Sequence, residues 1–156
     1  MSTVLKRSLC GVLAALAVST VSANSFMIIS DRDAVLSINA WGGAKHGTVV
    51  RLHNNCLVDN PDCLWIYRDG MLLSARNPKL ALNAWGGAKH GTALRLHNGC
   101  VPANPDCTWT FSSDGRILSN RDRNLAINAW GIGQHGTVLK LYENCPTDNP
   151  DCTWSR

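Results

Sequence analysis

Beyond residue 23 the 156-residue sequence has no apolar run long enough to cross a bilayer and no segment with a helical apolar period of useful length. That excludes a spanning helix and argues against a helical bundle. A strong excess of one charge is also missing. Without Lys6 and Arg7, which fall in the leader described below, thirteen basic residues face eleven acidic ones, a net charge of +2. So small a bias does not point to nucleic acid or to an anionic membrane. No Ser or Cys nucleophile motif is present, and the distinctive carboxylates recur by threes. A two-carboxylate glycosidase needs one unique pair across a cleft. The sequence therefore reads as that of a non-enzyme.

What is present begins with an export signal. Lys6 and Arg7 precede a mostly apolar run from Leu9 to Val21, and Val21 and Ala23 are small residues in the pattern of a cleavage site. The expectation is a signal peptide over residues 1–23, one domain over 24–156, and a secreted protein, periplasmic if the source is bacterial. Cys10 leaves with the signal. The other six cysteines fall into three identical spacings: Cys56 with Cys63, Cys100 with Cys107, and Cys145 with Cys152. An even count in an exported chain argues for disulfides, most simply one within each copy of the spacing. Each would close a loop worth about 2.5 kcal/mol in the loop-entropy picture. A zinc site would need reduced thiols, which export disfavours.

The repetition extends well past the cysteines. "NAWGGAKHGT" stands at Asn39–Thr48 and again at Asn83–Thr92, and "NAWGIGQHGT" follows at Asn128–Thr137. Trp41, Trp85 and Trp130 are separated by steps of 44 and 45, as are Trp65, Trp109 and Trp154. The units run over about 26–70, 71–115 and 116–156. Each offers short β-branched or aromatic runs separated by Asp, Asn, Gly and Pro, such as "FMIIS", "VLSIN", "TVVRLH" and "LWIY". Asp69-Gly70 and Asp114-Gly115 are hairpin signals that join one unit to the next. About twelve short strands in three units predict an all-β chain, a closed barrel with threefold pseudosymmetry: a β-trefoil. Propeller blades of similar length need at least four copies. Closure requires the last strand, near Trp154, to pair with Phe26–Ser30 and leave no open edge.

The stretch "LAINAWGIGQHGTVLKLYENC…DCTW" resembles the repeat of the ricin-type lectin family, and the resemblance covers residues 24–156. It implies a β-trefoil that binds sugars, with up to one shallow site per repeat and no cofactor or metal. Two departures are visible. The family's closing Gln-x-Trp is Cys-x-Trp at Cys63, Cys107 and Cys152. The family's sugar-binding Asp and Asn have changed places. The resemblance puts the carbohydrate-binding positions at Asn39, Asn83 and Asn128; at Asp62, Asp106 and Asp151; and, for the stacking ring, at His53, His97 and Tyr142.

Two readings stay open at several of these positions. Trp65, Trp109 and Trp154 correspond to the family's core tryptophan. Trp41, Trp85 and Trp130 fit either packing over the barrel or stacking against a sugar's apolar face. His46, His90 and His135 fit turn histidines bonded to backbone, or ligand contacts. Asp62, Asp106 and Asp151 follow Asn-Pro, which is itself a turn signal. The implied function is a lectin with weak sites that act together on glycans or polysaccharide, with no nucleic acid partner and no membrane insertion. The alternatives are the targeting subunit of a separately encoded toxin or secreted hydrolase, and a protein-binding trefoil inhibitor. Inhibitors of that kind have a single working loop, and near-identical units argue against one.

Overall fold

A computed structural model describes residues 24–156 of the protein; the expected signal peptide lies outside them. Thirteen short strands and one 3-10 turn, Pro105–Cys107, make up the described residues. After the opening β1 (Ser25–Phe26), the first lobe contributes β2 (Ile29–Ser30), β3 (Ser37–Ala40), β4 (Val50–His53) and β5 (Trp65–Arg68). The second contributes β6 (Met71–Ser74), β7 (Ala81–Ala84), β8 (Leu94–His97) and β9 (Trp109–Phe111). The third contributes β10 (Ile117–Ser119), β11 (Leu125–Ala129), β12 (Leu139–Glu143) and β13 (Trp154–Ser155).

The last strand of each lobe pairs antiparallel with the first strand of the next: β5 with β6, β9 with β10, and β13 with β2. The first and last segments of the described residues therefore lie together, with Trp154 opposite Ser30 and Ser155 opposite Ile29. "FMIIS", expected as one strand, is two. Ile28 turns wholly into the core between them, leaving Phe26 to pair with Trp65 on β5 and Ser30 with Trp154 on β13. The two short strands thus join the last strand of lobe one and the last strand of lobe three. The Asp69-Gly70 turn has positive φ at both residues, +52° and +77°, as a two-residue hairpin requires.

Each repeat places its side chains in the same layers. The alternation in Val-Arg-Leu-His and Leu-Arg-Leu-His sends Val50, Leu52, Leu94 and Leu96 into the core and leaves the intervening residues at the surface. Trp65, Trp109 and Trp154 are buried in that core, and each indole N–H donates to a carbonyl of its own lobe: Ile38 at 3.0 Å, Leu82 at 3.1 Å and Ile127 at 3.1 Å. These donors would otherwise be stranded in an apolar interior.

The strands β3, β7 and β11 are buried on both faces. One face meets the core. The other is covered by the lobe's own disulfide loop, closed by Cys56–Cys63, Cys100–Cys107 and Cys145–Cys152 at Cα separations of 5.7, 5.7 and 6.4 Å. Hence small residues such as Ala81 and Ala126 stand where an ordinary surface strand would carry polar ones; Ala126 packs against Cys145 and Cys152.

Candidate functional site

Each ten-residue repeat ends a buried strand and then folds back as a closed turn. In the first lobe the Thr48 hydroxyl donates to the Gly43 carbonyl (3.0 Å) and accepts from the Lys45 N–H (3.1 Å). Thr92 and Thr137 repeat the pattern. The turn then leaves its own lobe. Gly47 N–H donates to Leu96, Gly91 N–H to Leu141 and Gly136 N–H to Leu52, each at 2.8 Å. His-Gly-Thr is therefore a bridge between lobes. Its glycines have φ of +84°, +82° and +85°, and a Cβ on any of them would face the indole edge of the neighbouring lobe's Trp85, Trp130 or Trp41.

The histidines follow the same route. Each packs onto the next lobe, so the three copies belong to three separate aromatic clusters. His46 stacks on Trp85 and His97, His90 on Trp130 and Tyr142, and His135 on Trp41 and His53, with ring centroids 4.8–5.3 Å apart. Their Nδ1 atoms accept the backbone N–H of Asn98, Glu143 and Asn54 at 3.2–3.3 Å, which puts the ring N–H of the neutral form on Nε2. The backbone-bonded reading holds, with the bond made across a lobe boundary.

Beside this aromatic cluster in the first lobe lies an open cleft of about 580 Å³, lined by Asn39, Trp41, Lys45, His53, Asp62 and Arg76 among others. It gathers the three positions the resemblance assigned to that lobe, together with the tryptophan. Trp41 is 36 % exposed and Trp85 37 %, so each indole is part packed and part open to a ligand.

The polar positions are more committed than the sequence implied. Asn39, Asn83 and Asn128 are buried, and their side-chain N–H groups donate to the sulfurs of Cys63, Cys107 and Cys152 at 3.2, 3.3 and 3.1 Å. Each carboxylate is held in a two-toothed ion pair by an arginine of the following lobe: Asp62 by Arg76, Asp106 by Arg121, and Asp151 by Arg32. Asp106 and Asp151 also accept the Ala88 and Gly133 N–H groups at 3.0 Å. The Asn-Pro-Asp segments are turns as well, with the Asn side chain accepting the Asp N–H at 3.0–3.1 Å.

Charge follows from that geometry. The Arg121 hydrogen bond, helped by the Ala88 N–H, holds the Asp106 carboxyl below the usual carboxylate value against the opposing effect of burial. Arg76 and Arg32 are raised by their hydrogen bonds to Asp62 and Asp151. The ion pair is not inert toward a sugar. Its carboxylate engages Nε and Nη2 only, so the pair still presents guanidinium donors beside carboxylate lone pairs, the combination that adjacent hydroxyls require.

The first cleft takes Asn39, Trp41, Lys45, His53 and Asp62 from its own lobe and Arg76 from the second, while His135 of the third lobe packs against the Trp41 and His53 rings. Sequence reasoning missed the arginines. Their signal was there: Ser30-Asp31-Arg32, Ser74-Ala75-Arg76 and Ser119-Asn120-Arg121 recur at the same steps as the tryptophans. Among the described residues no cluster of three or more His, Cys, Asp or Glu is placed to hold a metal.

No family model and no curated protein matches the chain in sequence. Solved structures do match in fold. The C-half of the earthworm R-type lectin in complex with GalNAc superposes with a TM-score of 0.70 at 17 % identity, over 85 % of this chain and 96 % of that one. The designed threefold symmetric protein ThreeFoil gives 0.70 at 11 %, over 84 % and 96 %. A non-toxic homologue of type II RIPs from bitter gourd (Momordica charantia), in complex with α-methyl-D-galactoside, gives 0.67 at 17 %, over 84 % and 46 %. The chain thus has the β-trefoil fold of the ricin-like, R-type lectins.

Proposed function

We propose that the protein is a secreted carbohydrate-binding protein with up to three weak sugar sites, one over each lobe, that act together on glycans or polysaccharide. The observation that carries this reading is the half-exposed indole of Trp41, set in an open cleft beside an Asp62–Arg76 pair and His53. An indole face covers the apolar face of a pyranose, and a carboxylate–guanidinium pair accepts from and donates to its hydroxyls. Asn39, Asn83 and Asn128 hold the disulfide loops that carry the carboxylates. Asp62, Asp106 and Asp151, with His53, His97 and Tyr142, face the ligand. Three disulfides and the leader support export. Weak single sites on one rigid body gain avidity through effective concentration when glycans are dense.

The test is a glycan array probed with the protein and with the triple variant Trp41→Ala, Trp85→Ala, Trp130→Ala. Binding to a defined set of glycans by the parent, lost in a triple variant that keeps its near-UV spectrum, is the expected result. Failure of the parent to bind any glycan at high surface density would sink the reading.

A further inference from the structure

We propose that the cleft of lobe one and the matching surface of lobe two recognise acidic sugars, meaning saccharides that carry a carboxylate or a sulfate, and that the corresponding surface of lobe three takes uncharged ones. The inference rests on the carbohydrate-binding reading above and specifies its substrate class. Lys45 lines the first cleft, and Lys89 occupies the matching place in the second lobe. Neither takes part in the ion pairs formed among the described residues. Arg51 and Arg95 lie 5.8 and 5.5 Å from the Trp41 and Trp85 rings, but their guanidinium groups donate to the Gly136 and Gly47 carbonyls of neighbouring lobes. Arg76 and Arg121 are balanced by Asp62 and Asp106. One cation therefore remains outside these ion pairs and carbonyl bonds, Lys45 in the first cleft and Lys89 at the matching place of the second lobe, beside an indole and a hydroxyl-binding pair.

The third lobe cancels that surplus. Gln134 stands where Lys45 and Lys89 do. Lys140, 4.6 Å from the Trp130 ring, stands where the first two lobes carry Arg51 and Arg95, and the third lobe adds an exposed carboxylate, Glu143, where they carry Asn54 and Asn98. Arg32 is balanced by Asp151. The disulfide loops add Asp59 to the first lobe and Asp148 to the third but only Ala103 to the second. The preference for an acidic sugar therefore ranks lobe two first, lobe one next and lobe three last. A saccharide's carboxylate or sulfate meets Lys45 or Lys89 in the first two lobes and the uncharged Gln134 in the third. The small net charge of the whole chain keeps this a local feature of the clefts and not a general affinity for polyanions.

Calorimetric titration of the purified protein with an oligogalacturonate, a sulfated galactan oligosaccharide and the unsulfated galactan oligosaccharide tests it. The expected result is tighter binding of one or both acidic probes, by about tenfold at low salt, with the advantage shrinking as ionic strength rises. Preference for the uronate or for the sulfate supports the proposal and identifies the anionic group. Lys45→Gln with Lys89→Gln removes most of the advantage, while Gln134→Lys raises acidic binding. Equal affinity for charged and neutral probes overturns the proposal, as does an acidic preference that survives the double lysine variant; either leaves the carbohydrate reading standing. No binding of any saccharide, neutral ones included, overturns both.

Discussion

Lobes one and two carry the same ten residues letter for letter, whereas lobe three departs from them at Ile132, Gly133 and Gln134, and again at Lys140, Tyr142 and Glu143. The residues that build the frame do not follow this division. All three lobes keep the buried tryptophan, its bond to a strand carbonyl, the disulfide and the histidine that crosses to the next lobe. The differences gather on the open side. Gly133 is instructive: a Cβ there would lie 3.0 Å from the Asp151 carboxylate and 3.3 Å from Arg32. Alanine occupies the equivalent position in lobes one and two. Its absence in lobe three goes with the deeper burial of Asp151, 5 % exposed, while Asp62 and Asp106 are only half-buried. Frame and rim are thus under separate physical constraints. A change to the frame must suit a threefold core, and a change to the rim need only suit a ligand.

The sharpest way to break that division is in the frame. Trp109→Ala and Trp154→Ala each remove a buried indole and leave a carbonyl without its donor. Each should cost about 3–5 kcal/mol, read from the shift in urea midpoint. Because the frame is common to all lobes, the two costs should agree despite the different rims around them. A large disparity would show that lobe three has a core of its own.

Next in size is the carboxylate staple, where the lobes should differ. Asp151→Asn should lose about 2 kcal/mol, because its carboxylate is buried while its partner Arg32 is partly solvated. Asp62→Asn should lose less, since Asp62 and Arg76 are both more exposed. Acid should reveal the same contact in lobe two. The Asp106 carboxyl is lower in the folded protein than the ordinary 3.8. Its contribution is therefore fully present above that value and is lost as the pH falls below it. Stability measured from pH 6 downward should decline less steeply below about pH 4 in Asp106→Asn than in the parent. Identical slopes would mean that the pair is open in solution.

Binding offers the third comparison. For an uncharged sugar, lobe three should be the strongest site, because Tyr142 presents a larger ring than His53 or His97 and adds a hydroxyl. Aromatic contact is worth about 0.5–1.5 kcal/mol beyond area, so Tyr142→Ala should weaken neutral-sugar binding several-fold in a calorimetric titration, and His53→Ala and His97→Ala less. If Tyr142→Ala is silent while a histidine change is not, the tyrosine serves only to pack His90.

What the sequence revealed divides along the same line. Strand alternation, the Asp-Gly turns and the even cysteine spacing are local patterns, and each reports a local structure: Val50 and Leu52 face inward, Asp69-Gly70 turns, and Cys56 reaches Cys63. The threefold repeat then fixes the barrel, since the last strand can find an edge only at the first. Contacts across lobes leave no such trace. Nothing in the spacing of His46 or Arg76 tells which neighbour it meets, because its partners lie about fifty and fourteen residues away, on opposite sides of its own lobe's sequence. The buried role of Asn39 was hidden for another reason. A polar residue at a strand end reads as surface, and only the disulfide folded over that strand makes it interior.

The smallest effect expected is at Glu143, and it separates rim from frame most finely. Its backbone N–H donates to His90 Nδ1, a frame contact that any side chain leaves intact. Its own side chain is exposed and forms no ion pair among the described residues. Glu143→Asn restores the residue found in lobe one, so stability should stay within about 0.5 kcal/mol of the parent. Removing the carboxylate also takes one negative charge off the open side of lobe three. Binding of an oligogalacturonate should then rise by about twofold at low salt, and the gain should vanish as salt is added. Neutral-galactan binding should not change, because Tyr142 and the Asp151–Arg32 pair are untouched. A fall in stability without a change in binding would place Glu143 in the frame, and the boundary between the two regions would have to be redrawn one residue further out along β12.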